Sequence, residues 1–264
     1  MIIDGSRILV TGASSGIGEA LAPMLAARGA VVGIAARRAE RLEVTLAECR
    51  RHAPDSRMWV VDLGDVDAAL AMLDDAWEAL GGLDCLINNA GIGKRKLVAD
   101  TTPEDLDTVM RTNFFTPVRM NLALIPRMLT RGRGTLVNVA SPGGRFGIPH
   151  ESVYCASKFA LSGWSEVAAM DLADTPIEVK LIQPGAIATE IWETRPGELP
   201  GLPGAEFVSA VDCAAGIVEA LEAPGLEIFV PADIKAHVDA KNADLDGWVE
   251  LMAAVGRMTA PPAI

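Results

Sequence analysis

Tyrosine is almost absent from this sequence: among 264 residues only Tyr154 carries a phenol. A side chain used once is not there for bulk packing, so its position is a candidate for chemistry. Histidine is nearly as scarce, with three residues. The four cysteines (Cys49, Cys85, Cys155, Cys213) form no C-x-x-C pair and no Cys/His cluster of ligand spacing. That excludes a zinc module, and no metal is expected; buried or idle thiols in a reducing compartment are the expectation. No apolar run reaches the roughly 18 residues needed to span a bilayer, and no basic-then-apolar leader opens the sequence. The expectation is a cytoplasmic protein without membrane association. Basic charge is also short, 23 Lys and Arg against 35 Asp and Glu, for a formal net charge of −12. Non-specific binding to nucleic acid or to anionic membranes is thereby disfavoured. The deficit is uneven: residues 1–60 hold eight basic and six acidic side chains, whereas residues 61–264 hold 15 and 29.

Hydrophobic residues are plentiful at 50%, enough for a sizeable core. Seven short runs read as strands: RILVTG (7–12), AVVGIAAR (30–37), MWVVDL (58–63), LDCLINNAG (83–91), GTLVNVAS (134–141), EVKLIQPG (178–185) and LEIFVP (226–231). They are continuously apolar rather than alternating, as in strands buried on both faces. Helical patterns lie between them at 18–29, 39–52, 67–81, from Pro103 to about Arg131, and at 157–174. Repeated β-then-α units predict an α/β fold, a parallel sheet with helices on both faces. No linker or repeat divides residues 1–264, so one domain is expected. Residues 190–206, rich in Pro and Gly, read as a lid over a substrate. Residues 232–264 read as a helical extension of one or two amphipathic helices ending in a Pro/Ala tail.

The loop TGASSGIG lies between the first strand and the first helix. Its small residues, Gly12, Ser14, Ser15, Gly16, Ile17 and Gly18, would let backbone approach a pyrophosphate held at the helix N-terminus. The spacing is G-x-x-x-G-x-G, not the common G-x-G-x-x-G fingerprint. At the end of strand 2, Arg37 and Arg38 stand where an NAD site would place a carboxylate. A guanidinium there suits a 2′-phosphate, which favours NADP over NAD. Asp62, followed by Leu63, could accept from an adenine amino group or cap the next helix, and both readings stay open. Asn89, Ala90 and Gly91 follow strand 4 at the sheet edge where such folds bind ligands. Pro184, Gly185, Ile187 and Thr189 follow strand 6, with Thr189 placed to hold a nicotinamide amide.

Lys158, one of six lysines, stands four residues after Tyr154 and hence on the same helix face. An ammonium roughly 4 Å away would lower a phenol from its ordinary pKa of about 10 towards neutrality, fitting it for acid–base work on a carbonyl or alcohol. Ser141, at the end of strand 5, can reach the same edge, and Asn113 can anchor a proton-relaying water. Together, TGASSGIG, NNAG, Asn113, Ser141 ahead of YCASK, and QPGAIAT resemble the short-chain dehydrogenase/reductase family over Ile8–Thr189. The resemblance implies a Rossmann-type, doubly wound parallel sheet of about seven strands and hydride transfer between a nicotinamide and a carbonyl or alcohol. It further implies an Asn113–Ser141–Tyr154–Lys158 tetrad, with Lys158 also holding the ribose, and a homodimer or homotetramer. Two departures stand out. Ser15 replaces the basic residue of many NADP-preferring relatives, and Pro142 directly follows Ser141.

Gly143, Phe146, His150, Ile187, Ile191 and Trp192 are candidate pocket residues, a mostly apolar set that suits a hydrophobic ketone or secondary alcohol. Lys94-Arg95-Lys96 reads as a solvated cationic loop, with substrate or cofactor contact as the alternative. A carrier-protein-linked 3-oxoacyl reductase and a non-catalytic NADP-binding regulator are the competing functions. A nicotinamide-dependent epimerase or dehydratase would need a longer substrate region.

Overall fold

All seven expected strands form one parallel sheet in the computed structural model, which describes residues 1–201, 204 and 206–259. Leu202, Pro203 and Ala205 of the expected lid, and the tail at 260–264, lie outside the described residues. The chain runs β1 (Arg7–Thr11), α1 (Gly16–Ala27), β2 (Val31–Ala36), α2 (Ala39–Arg50), β3 (Arg57–Val60), α3 (Val66–Leu80) and β4 (Cys85–Asn88). It continues through α4 (Pro103–Met110), α5 (Thr116–Arg131), β5 (Gly134–Val139), α6 (Ser152–Asp171) and β6 (Ile177–Pro184). Then follow β7 (Ile187–Ala188), β8 (Val208–Ser209), α7 (Ala210–Glu222), β9 (Glu227–Val230), α8 (Lys235–Ala243) and α9 (Leu245–Arg257). The strand order is β3-β2-β1-β4-β5-β6-β9. This is the doubly wound Rossmann-like arrangement: the chain leaves β1 in one direction through β2 and β3, then in the other through β4, and a crevice opens where the directions part.

The central strands are buried on both faces, which explains their unbroken apolar runs. Ile8, Val10, Val32 and Ile34 pack beneath α1, α2 and α7. Leu9, Leu86 and Leu136 pack against α3, α5 and α6 on the opposite face. Full burial of each such side chain contributes about 1.5–3 kcal/mol. Beneath the future site the second face also carries a polar knot. Asn88 donates to Asn121 (2.9 Å) and Asn138 (3.0 Å), Asn121 donates to Asn138 (3.0 Å), and Asn138 donates to Ser165 (2.9 Å). Bonded to one another in this way, the buried amides tie β4, β5, α5 and α6 together.

Four local features differ from the expectations. The segment 210–222, with Gly216 among small residues, forms α7, a helix outside the expected set; Ser209 caps it by accepting from Asp212 N. The helix expected from Pro103 to Arg131 is interrupted by a π-helical turn at Arg111–Phe115. Asp65 rather than Asp62 caps α3, accepting from the amides of Asp67 and Ala68. A two-stranded sheet of β7 and β8 fastens the entry and exit of the 190–206 loop. Among the described residues no helix is long and apolar enough to cross a membrane.

Candidate active site

A cleft of about 870 Å³ opens at the carboxyl ends of the strands. At one end the β1–α1 loop is pressed against its neighbours so tightly that side chains are excluded at Gly12 and Gly16. A Cβ on Gly12 (φ +71°) would lie 2.8 Å from Ala90 Cα, and one on Gly16 (φ +56°) would lie 2.7 Å from Thr189 Cγ2. Thr11 Oγ1 accepts from the amides of Asn89 and Ala90, and Asn89 Nδ2 donates to Thr11 O at 2.8 Å. Asn89 thus clamps the glycine loop as well as lining the cleft. No side chain caps α1, so its first amides face the cleft and fit an anionic pyrophosphate. Gly18 is absent from the cleft wall; a Cβ there would meet Gly12 O and Asn89 Nδ2 at 2.6 Å, so its role is packing.

Both arginines at the end of β2 line the cleft. Arg38 reaches back, with Nε donating to Ser14 Oγ (3.3 Å), one terminal nitrogen to Ser14 O (3.1 Å) and the other to Glu190 (2.7 Å). Asp62 lines the cleft and accepts from Gly64 N at 2.9 Å, with Leu63 beside it. Ser15, Ile17, Ala90, Gly91, Pro184, Gly185, Ile187 and Thr189 also face it.

At the other end stand Ser141, Tyr154 and Lys158. Ser141 leaves β5 in extended conformation. Its amide donates to Gln183 Oε1 (2.9 Å) and its hydroxyl accepts from Gly143 N (3.1 Å). The following turn, Pro142–Gly144, lies on α6, where a Cβ on Gly144 would come 2.6 Å from Lys158 O. Pro142 therefore starts a tight turn that delivers Ser141 towards the phenol. Lys158 Nζ donates to Val139 O (2.9 Å) and sits 5.7 Å from the Tyr154 ring centroid. Asn113, in the π-helical turn, is buried behind them. Its Nδ2 donates to Ile92 O (2.9 Å) and Ser157 Oγ (3.0 Å), and its Oδ1 accepts from Ile92 N (2.9 Å).

This sheet, glycine loop and side-chain group have counterparts in known proteins. The sequence model of the short chain dehydrogenase family matches residues 6–198. The chain belongs to the short-chain dehydrogenase family. It is an oxidoreductase of CH–OH and C=O groups. Nodulation protein G of Rhizobium sp. (strain N33) is 37% identical over 255 residues, which are 95% of this chain and 99% of that protein. The 3-ketodihydrosphingosine reductase of Bacteroides thetaiotaomicron is 36% identical over 189 residues, 71% of this chain and 66% of that protein. A short-chain dehydrogenase from Sphingobium yanoikuyae, solved in complex with NADPH, has a TM-score of 0.80 at 27% identity, covering 97% of this chain and 99% of that one.

The electrostatics of this dehydrogenase depart from the simple Tyr–Lys argument. Burial pushes the Tyr154 phenol above its ordinary range, the nearby Glu151 carboxyl raises it further, and only the Ser141 hydroxyl pulls it down. Burial also lowers Lys158 from 10.5 to about 8. In this structure desolvation outweighs the attraction expected from an ammonium one helical turn away, because both groups leave water together.

The substrate half also revises the expectations. Phe146, Ile187, Ile191 and Trp192 line it; Gly143 and His150 do not. His150 (φ +68°) turns instead to α9, its Nε2 lying 3.0 Å from Gly256 O and 3.1 Å from Thr259 Oγ1. Lys94-Arg95-Lys96 is not a solvated loop. Lys96 and Lys94 pair with Asp105 at 2.6 and 3.3 Å, and Arg95 is 3% exposed. The Arg95 guanidinium donates to the carbonyls of Ile191, Trp192, Glu193 and Leu199, tying the 190–206 loop to the cleft. Sequence reasoning named Arg95 only as part of the cationic cluster, and missed Glu151, Trp248 and Met252, which line the same half. For Glu151 the available signal was its spacing, three residues before Tyr154.

Proposed function

We propose that this dehydrogenase interconverts a fairly hydrophobic ketone, or an aldehyde, with its alcohol, using NADP(H) in preference to NAD(H). The observation that carries the reading is the meeting of Ser141, Tyr154 and Lys158 at one wall of a cleft whose far end is a side-chain-free glycine cradle. When bound there, the nicotinamide cofactor supplies the hydride to a carbonyl, or accepts it from a carbinol carbon. Ser141 donates a hydrogen bond to the reacting oxygen. Tyr154, held protonated by burial, delivers its phenolic proton to that oxygen in reduction and takes it back in oxidation. Lys158 favours the phenolate that this transfer leaves behind, and its position suits the ribose hydroxyls. Both Asn113 side-chain donors are engaged, so it supports proton relay by fixing the 92 loop and Ser157 rather than by donating to a water. Gly12, Ser14, Ser15, Gly16 and Ile17 take the pyrophosphate; Asp62 and Leu63 take the adenine. Asn89, Ala90, Gly91, Pro184, Gly185, Ile187 and Thr189 flank the nicotinamide half.

The preference for NADP rests on Arg37 and Arg38, with no carboxylate contributed by the end of β2 itself and Glu190 reaching Arg38 from the segment after β7. The 190–206 segment serves as the lid, held by Arg95. Residues 1–264 are read as one domain, and exposed Phe115 in the π-helical turn, Leu122 on α5 and Phe159, Val167 and Met170 on α6 favour a homodimer or homotetramer. A 3-oxoacyl substrate is the second reading, favoured by the similarity to a 3-ketoacyl-(acyl-carrier-protein) reductase from Brucella melitensis (TM-score 0.76, 27% identity). A carrier-protein dock at Lys94-Arg95-Lys96 is not, since these cations are paired or buried.

Fluorescence titration with NADPH and NADH, followed by a panel of ketones and secondary alcohols at saturating nucleotide, tests the proposal. Tighter binding of NADH would overturn the cofactor preference, and lack of turnover across the panel would overturn the reaction.

A further inference from the structure

Glu151 stands directly before α6 and is only 6% exposed, yet its side chain faces the cleft. It does not cap α6, and among the described residues its carboxyl has no hydrogen bond or ion pair. Residues three apart at the start of a helix lie about 5–6 Å apart at Cβ on one face, so this carboxyl and the Tyr154 phenol look into the same space. The charged groups around it are Arg95 and Glu198. Arg95 makes no hydrogen bond to it: four of its five N–H donors go to carbonyls of the 190–206 loop, and its guanidinium lies 3.9 Å from Glu198. Glu198 repels it. The nearby Phe146, Ile148, Ile191 and Trp192 carry no charge, and the other cations of the cleft, among them Lys158 and Arg195, make no hydrogen bond or ion pair with it.

A desolvated carboxyl without a partner costs a fold stability and persists where something else satisfies it. We infer that Glu151 is the substrate-recognition group of this cleft, and that the substrate bears a hydroxyl or amino hydrogen-bond donor two to four bonds from the carbon that exchanges the hydride. This deepens, and rests on, the proposed carbonyl/alcohol reaction. It points to hydroxyketones, diols and amino alcohols with an apolar remainder. Substrates with a carboxylate or phosphate at that distance are disfavoured by like charge.

Matched pairs decide the matter: 2-octanone against 1-hydroxy-2-octanone, and 2-decanone against 1-hydroxy-2-decanone, reduced by the full-length enzyme with NADPH. At pH 8, where the carboxyl raised to about 7 is ionised, a hydrogen bond to the charged group predicts a kcat/KM ratio favouring the hydroxyketone by about 10- to 100-fold. The ratio should fall to within about threefold in Glu151→Leu and be partly retained in Glu151→Gln, whose amide oxygen still accepts. A merely structural Glu151 would lower both substrates together and leave the ratio intact, which overturns the inference. So does a wild-type ratio near one while the plain ketones are turned over, an outcome that leaves the reaction class standing. Should Glu151→Leu not fold, the wild-type ratio and Glu151→Gln decide. No turnover of any of these ketones overturns the inference together with the reaction it rests on.

Discussion

Arg38 and Glu190 are joined across the mouth of the cleft at 2.7 Å, and Arg41 reaches the same carboxylate at 3.1 Å. The guanidinium that best suits a 2′-phosphate is therefore already held by an internal anion from the segment after β7. A phosphate must compete for those donors, whereas NADH need not. Both side chains are more than a third or close to a third exposed, at 43% and 33%, so the pair is worth no more than about 1 kcal/mol. Glu190→Gln is expected to tighten NADPH by about two- to fivefold with a smaller effect on NADH. Equal changes in both Kd values, by fluorescence titration, would refute competition at this site.

Tyr154→Phe should lower kcat by about 10²- to 10⁴-fold, the usual scale of a lost general acid, while NADPH binding stays within a few fold. Lys158 adds a pH signature. Its folded pKa is lowered to about 8, so the ammonium is present below that pH and lost above it. The kcat for ketone reduction should decline as pH rises through about 8. Retention of most activity by Tyr154→Phe would end the acid–base assignment.

Burial raises the Glu151 carboxyl from 4.5 to about 7, with Arg95 pulling it down and Glu198 pushing it up. A raised folded pKa contributes stability below the unfolded value that is lost as pH rises through the folded one. Wild-type stability should therefore drain away between about pH 4.5 and 7. Glu151→Gln, which cannot ionise, should gain on the wild type above pH 7 by at most about 3 kcal/mol and converge with it near pH 4. Urea unfolding at both pH values measures this; a constant difference would show that the carboxyl titrates normally.

All four thiols are buried and shifted upward by burial, Cys49, Cys155 and Cys213 to about 12 and Cys85 beyond that. The thiolate is the reactive form, so a thiol reagent at pH 8 should label the native protein slowly and all four positions on unfolding. Because these folded values are raised, their stabilising contribution is present below about pH 9 and is lost above it. The melting temperature should fall on the alkaline side, and rapid native labelling of any cysteine would contradict its burial.

The seven strands were legible because a parallel sheet covered on both faces demands unbroken apolar runs, and the Tyr154–Lys158 pair because a phenol used once stands out. What stayed hidden depends on contacts between distant residues. The π-helical turn exists because Asn113 bonds Ile92 and Ser157, partners 21 and 44 positions away. Helix α7 does carry a helical period, with Ala214, Ile217, Val218 and Leu221 buried at i, i+3, i+4 and i+7, but Gly216 in its middle argued against a helix there. Arg95 looked solvated because its neighbours are lysines; only the folded loop supplies the four carbonyls that receive it. Glu151 looked ordinary because a lone acid carries no sign of burial.

The groups proposed to carry the reaction lie between residues 113 and 158, whereas much of the cavity's far wall comes from Ile234, His237, Trp248, Met252 and Val255 on and just before α8 and α9. On that proposal, what the enzyme does and what it does it to are written in separate stretches of chain. Grafting 232–259 from a relative should redirect substrate choice while the reaction itself is inherited intact.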